Sequence, residues 1–178
     1  SPARPIVLLR RRPDSDIAPG VAPDSDRLGL MLPSTPLHHL LLDGGRGPFV
    51  MTSGNRTSEP MATVPADAME RLSGIADLFL THDRPVARRC DDSVAAVLAS
   101  RTTILRRARG FVPRPIRLAT PVAEPILAVG GQLKGAICIA AGQEAWLGPH
   151  LGDLDHAAAF QAFEESVEQL EGMLGVRP

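Results

Sequence analysis

Tyrosine is absent from the sequence, and there are only five phenylalanines and one tryptophan in 178 residues. A stacking platform for single-stranded nucleic acid needs exposed aromatic rings, so this scarcity argues against one. The core has to be packed with Leu, Ile, Val and Ala. Cysteine is scarce too. Cys90 and Cys138 lie far apart and form neither a metal-ligand spacing nor a disulfide framework, so the expected setting is reducing cytoplasm. No HxxxH, HExxH or CxxC pattern occurs, so no zinc site is expected within the chain. No apolar run reaches the ~18 residues of a membrane span, and no charged and apolar leader marks a signal peptide. Lysine is almost missing: the 19 basic residues are Lys134 and eighteen arginines. The formal net charge is -1, which weighs against an extended nucleic-acid surface. Two readings of the arginine excess stay open. It can reflect a GC-rich genome, or it can use the planar guanidinium fork to bind phosphate or carboxylate.

The hydrophobic pattern suggests an α/β chain with an open, twisted, mixed sheet layered with helices. Strands are expected over residues 5–10, 28–32, 49–52 and 78–81, with a hairpin of residues 94–99 and 102–108 about Ser100 and Arg101. Ser34-Thr35-Pro36 reads as a helix start before a buried helix over 37–42, which Asp43-Gly44-Gly45 ends. Residues 66–75 read as an amphipathic helix with Met69, Leu72 and Ile75 on one side. From 112 to 125 the chain is proline-rich and aperiodic, and 119–125 reads as a linker between segments 1–118 and 126–178. Beyond it come three short strand patterns, 126–129, 136–141 and 144–147. A last helix follows, capped by Asp153 or Asp155 and ended by Gly175. Its apolar stripe is Phe160, Phe163, Val167, Leu170 and Leu174; Glu164, Glu165, Glu168 and Glu171 face the other way. About 50 residues are thin for an independent second core, so a fragment of a longer polypeptide is expected.

Three polar stretches carry chemistry. In "MTSGNRTSEP", an apolar run ends in Thr52, Ser53, Gly54 and Asn55, which makes either a turn or a cradle of N–H and O–H donors for an oxyanion. In "RRCDDSV", Asp91 and Asp92 can hold Mg²⁺ through its waters or simply offset Arg88 and Arg89. In "LRRARGF", alternation along a strand puts Arg107 and Arg109 on one face, suited to a triphosphate, and Arg106 on the other. His38 and His39 are helix neighbours about 100° apart, too divergent to share one metal. "GGQLKG" lacks the spacing of a Walker loop.

Five stretches resemble, in order and over nearly the whole chain, the HypF family, the carbamoyltransferase of nickel–iron hydrogenase maturation. They are "MLPSTPLHHLLL", "MTSGNRTSEP", "HDRPVARRCDDSV", "ILRRARGFVPRPI" and "LAVGGQLKGAICIAAGQEAWLGPHLGDLD". The resemblance implies that residues 1–118 are the latter part of a YrdC-like domain, with a double-stranded-RNA-binding-like fold. Residues 126–178 would open a threonylcarbamoyl-transferase-like domain of actin-like ATPase architecture. The implied reaction joins carbamate, derived from carbamoyl phosphate, to ATP with Mg²⁺ as carbamoyl adenylate. The carbamoyl group then goes to a C-terminal cysteine of a partner maturation protein, on the way to the cyanide ligand of the hydrogenase iron.

The resemblance also implies site residues. Ser53 and Asn55 match the Ser-x-Asn element used on the nucleotide, Thr52 beside them is implied in nucleotide binding, and Ser93 matches a hydroxyl lining the same cavity. Arg89, Arg107 and Arg109 are implied in nucleotide binding, with Arg106 an alternative to the last two, all meeting Ser53 and Asn55 in one pocket. His38 or His39 is implied at a carbamate pocket. Lys134, His150 and Asp153 match motifs of the second domain, and no catalytic residue is assigned. Two positions depart from the family: Ser58 stands where its loop has glycine, and Gly135 where Asn usually follows the lysine. The family's Lys-x-Arg element has no equivalent here, so the chain alone is expected not to complete the reaction. Rival readings are threonylcarbamoyl-adenylate synthesis for tRNA, O-carbamoylation of a small molecule, and a non-catalytic nucleotide- or RNA-binding module.

Overall fold

The computed structural model describes residues 1–57 and 59–178; Ser58, with its departure from the family's glycine, lies outside the described residues. The chain forms two compact units. The first joins Ser1–Thr52 to Asp92–Phe111, and the second joins Ser53–Asp91 to Val112–Pro178.

The first unit is built on a four-stranded mixed sheet in the order β2-β1-β3-β4. Here β1 is Ile6–Arg10, β2 Arg27–Leu30, β3 Val94–Leu98 and β4 Arg101–Arg106. β1 lies antiparallel to β2 and parallel to β3, and β3 and β4 form the expected hairpin. Its two-residue turn is Ala99 and Ser100, one position earlier than expected, and both carry positive φ (48° and 60°). That is the sense of turn that matches the right-handed twist of paired strands. The buried centre is made of small side chains: Ala95, Ala96, Ala108 and Ser93, with Leu28. Helix α1 (Pro36–Leu42) starts as its sequence dictates, with the Thr35 hydroxyl accepting the His38 N–H at 3.1 Å and proline in the first turn, but it is not the buried helix expected: none of its residues is buried and Leu37, Leu40 and Leu41 are exposed.

Two expected strands, 49–52 and 78–81, do not form. Their apolar residues are exposed, Val50 at 79% and Leu78 at 90%. A strand exists through its ladder, and no described strand pairs with either run.

In the second unit, α2 (Pro65–Leu72) ends before Ile75, and Met69 and Ile75 are exposed. Residues 119–125, expected to be irregular, lie within β5 (Ile116–Ala128), which pairs antiparallel with β6 (Gly135–Gly152). Pro121 and Pro125 sit where the register breaks: an advance of five positions from Arg117 to Val122 opposes one of two from Glu144 to Gly142. Proline cannot donate to a ladder and is tolerated at such irregularities. β6 folds back on itself. Along a straight strand Ile137 and Gly148 would be ~36 Å apart, yet a Cβ on Gly148 would stand 2.5 Å from Ile137 Cγ1. The reversal falls at Gly142, whose φ is +55°, between the two strand patterns read from the sequence.

Helix α3 (Ala157–Leu174) packs on β6, with Ile137, Ile139 and Leu170 fully or nearly buried beside Phe163, Val167, Leu174 and Trp146. Phe160, expected in the stripe, is half exposed and stacks on Phe163 at 5.9 Å. Gly175 ends the helix in the left-handed conformation, as expected. The helix's N-cap is His156, without a side-chain bond, and neither Asp153 nor Asp155 caps it.

Gly148 is a packing requirement of this fold. Gly148→Ala drives a methyl into buried Ile137 and is expected to lower stability by about 1–3 kcal/mol. In a urea-melt double-mutant cycle with Ile137→Ala, the penalties will be less than additive. The two thiols will also differ: burial pushes the Cys138 thiol up from its ordinary value, while Cys90 is exposed. Near pH 8 iodoacetamide is expected to alkylate Cys90 first and Cys138 more slowly, read by mass spectrometry of time points.

Candidate functional site

The expected site residues are divided between the units. Thr52, Ser93, Arg107, Arg109 and the two histidines belong to the first, and Ser53, Asn55, Arg89, Lys134, His150 and Asp153 to the second.

In the first unit Ser93 is wholly buried. Its hydroxyl donates to the Arg109 carbonyl at 2.9 Å and accepts the Ala108 N–H at 2.8 Å. It thereby closes the end of the hairpin where a bulge between Val94 and Ala95 has broken the ladder. β4 stops at Arg106, so strand alternation does not set the direction of Arg107 or Arg109. Arg106 Nε donates to the Asp92 carbonyl at 2.8 Å. Arg107 donates to the Phe111 carbonyl at 3.1 Å and lies 5.7 Å from the centre of that ring. Arg109 donates through Nε to Asp92 Oδ1 at 2.6 Å and through its other nitrogens to the carbonyls of Arg4 (2.9 Å) and Ala3 (3.4 Å). Gly110 follows at φ +89°, where a Cβ would stand 2.5 Å from the Ala3 carbonyl oxygen. The segment is thus fastened to the start of β1. His38 is held by Ser34, whose N–H and hydroxyl lie 3.4 and 3.3 Å from Nδ1, while His39 is exposed.

In the second unit, the described residues 53–57 and 59–60 carry no regular structure. Asn55 shapes this loop: the side-chain amide donates to the carbonyls of Arg56 (2.8 Å) and Glu59 (3.0 Å). Among the described residues its buried Oδ1 has no partner. The Ala62 N–H closes the loop on the Gly54 carbonyl at 3.1 Å. Thr52 and Ser53 are exposed.

The residue that anchors the loop was not singled out in the sequence. Arg71, on the last turn of α2, donates to Glu59 Oε2 from Nε (3.0 Å) and Nη2 (2.7 Å), to Asp67 Oδ2 (2.9 Å) and to the Pro60 carbonyl (2.8 Å). The hydrogen-bonded Glu59 carboxylate, helped by Asp67, raises its pKa above the ordinary arginine value, and desolvation offsets part of that rise. The Asp67–Arg71 spacing of four is a visible helix-pair signal, on the face of α2 opposite its apolar residues.

Arg89 donates to the Met61 carbonyl at 2.9 Å and to Glu165 Oε2 of α3 at 3.2 Å, so Glu165 is not part of a purely solvated face. The polar cavity beside it, lined by Arg88, Arg89, Glu165 and Gln169 among others, has a volume of ≈ 170 Å³. Small-molecule sites usually enclose roughly 300–1,000 Å³. Lys134 and Asp153 come together: the Lys134 N–H, on a residue with φ +52°, donates to Asp153 Oδ1 at 2.7 Å. Gln132 reaches Asp155 Oδ1 at 3.0 Å. The two aspartates thus hold the turn between β5 and β6, which is why neither caps α3. His150 lies within β6 and is partly buried.

Removing Arg109 leaves Asp92 and the carbonyls of Ala3 and Arg4 without their donors. Arg109→Met is expected to cost about 1–3 kcal/mol, discounted for partial exposure, in a lower urea midpoint. Asp92→Asn will cost less, because the amide oxygen still accepts.

Two family models match the chain. The Sua5/YciO/YrdC model, described as telomere recombination, covers residues 1–108, and the HypF Kae1-like domain covers 121–178. Carbamoyltransferase HypF of Synechocystis is 43% identical over all of the chain and 23% of its own length. That of Rhodobacter capsulatus is 46% identical over 99% of the chain and 24% of its own length. A crystal structure of full-length HypF in the phosphate- and nucleotide-bound form matches at TM-score 0.93 and 43% identity. The match covers 99% of this chain and 28% of that one. HypF of T. kodakarensis matches at 0.88 and 32% identity, over 95% of this chain and 22% of that one. The chain spans about a quarter of the length of these curated relatives. With a YrdC-like region followed by a Kae1-like one, it belongs to the HypF family of carbamoyltransferases.

Proposed function

We propose that the chain contributes to ATP-dependent activation of carbamate and onward transfer of the carbamoyl group. The observation that carries this reading is its match, over 99% of its residues, to a HypF described as phosphate- and nucleotide-bound. Water first hydrolyses carbamoyl phosphate to carbamate and inorganic phosphate, and a carbamate oxygen then attacks the α-phosphorus of ATP. The bond to the β-phosphate breaks, pyrophosphate leaves with its electron pair, and carbamoyl adenylate remains. The thiol of a C-terminal cysteine on a partner maturation protein then takes the carbamoyl group, releasing AMP and a proton. The product serves cyanide-ligand synthesis for nickel–iron hydrogenase.

The burden on the chain is negative charge, which donors fixed in advance stabilise best. The exposed hydroxyls of Thr52 and Ser53 are suited to it. Asn55, with its amide donors spent on the loop's own carbonyls, keeps the loop in shape. Ser93, Arg89 and Arg109 already serve protein partners and act by holding the frame. Bound Mg²⁺ would neutralise charge on the leaving pyrophosphate. Among the described residues no group of three or more His, Cys, Asp or Glu side chains is placed to hold a metal, and Asp92 already engages Arg109. Phosphate oxygens and water would therefore be the ion's main ligands. No helix among the described residues is long and apolar enough to cross a membrane.

The test is exchange of labelled pyrophosphate into ATP by a polypeptide of the relatives' full length that carries this chain. Exchange that requires carbamoyl phosphate is expected, and Ser53→Ala should lower it by about tenfold to a hundredfold. Exchange that requires threonine instead, or nucleotide binding with no exchange, would overturn the reading.

A further inference from the structure

We propose that Arg71 is a positioning residue for the phosphate-facing loop, described residues 53–57 and 59–60, an inference that rests on the adenylating function proposed above. The loop has no ladder to hold it, yet three of its parts refer to the last turn of α2. A Cβ on Gly54 would lie 3.8 Å from Leu72 Cδ1, so the glycine packs on that side chain. Arg56 Nε donates to the Arg71 carbonyl at 2.7 Å. The Arg71 guanidinium takes the Glu59 carboxylate and the Pro60 carbonyl together, while its remaining edge is held by Asp67 at 2.9 Å on the same helix. The Arg71 side chain is 22% exposed, against 41% for Glu59 and 44% for Asp67, so the cation is the enclosed member of the group.

The geometry needs arginine. Three acceptors are met by three nitrogens of one planar fork, so fixing the fork fixes the distance between α2 and the loop. A lysine ammonium is a single point with rotatable donors, and it cannot set Glu59, Pro60 and Asp67 at separate fixed positions. Asp67, one turn before Arg71 on α2, orients the fork before the loop reaches it. The Asn55 amide donates to the Glu59 carbonyl at 3.0 Å, and the Ala62 N–H to Gly54 bond ties that end of the loop to the residue after Ser53. Slack at Arg71 is therefore passed to Ser53. Charge at the α-phosphorus and on departing pyrophosphate develops in the transition state, so a misplaced donor loses more there than in the ground state.

The experiment is steady-state ATP–pyrophosphate exchange with the full-length polypeptide, comparing Arg71→Lys and Glu59→Gln with the unsubstituted protein. Rates are normalised to ATP-binding stoichiometry, which removes any unfolded fraction. Arg71→Lys is expected to lower kcat by about tenfold or more while KM for ATP stays within about threefold, the pattern of an interaction made in the transition state. Glu59→Gln keeps an acceptor and loses the charge, so a smaller fall in kcat with the same KM is expected. Unchanged kcat in both variants, or a rise in KM alone, would overturn the positioning role. No exchange by the unsubstituted protein would overturn the adenylating function and the positioning with it.

Discussion

Backbone carbonyls outside regular structure have to find donors, and this chain supplies them with arginine. Among the described residues, at least eight of the eighteen arginines donate to main-chain carbonyls. Arg4 reaches Pro33, Arg11 reaches Ile17, Arg89 reaches Met61, and Arg109 reaches both Ala3 and Arg4. A buried carbonyl without a partner costs about as much as a lost hydrogen bond. The arginine fork can satisfy one while also holding a carboxylate, as Arg71 and Arg109 do. The arginine excess thus has a reading beyond genome composition or phosphate binding: it fastens long irregular segments to short regular ones.

That constraint explains which parts of the sequence were legible. β1, α1, the β3–β4 hairpin and α3 declare themselves because their signals are local: an apolar run, a Thr-Pro start, a two-residue turn, a stripe with a terminal glycine. The apolar runs at 49–52 and 78–81 carry the same local signal, but no described strand lies alongside to complete them. β5 was hidden for the opposite reason. Its prolines read as a linker, yet they sit at register breaks where a missing N–H is tolerated.

The site was legible as a set of positions more than as a set of contacts. The stretch "MTSGNRTSEP" marks the loop, and the resemblance points to the family. Neither could show that the amide of Asn55 is spent on the loop's own carbonyls, or that the Ser93 hydroxyl lies buried against Ala108 and Arg109. Partners of this kind are main-chain atoms, which carry no letter in the sequence. Arg71 was missed on the same account: its partners Glu59 and Pro60 are distant along the chain, and only Asp67 is local.

Lys134 gives the composition a practical side. It is the one lysine of the chain, exposed in a turn whose main chain is pinned by Asp153. Acylating dyes and surface chemistries directed at side-chain amines therefore have a single address, in the Kae1-like region. A fluorophore placed there would report on that region alone and would leave every arginine fastening untouched.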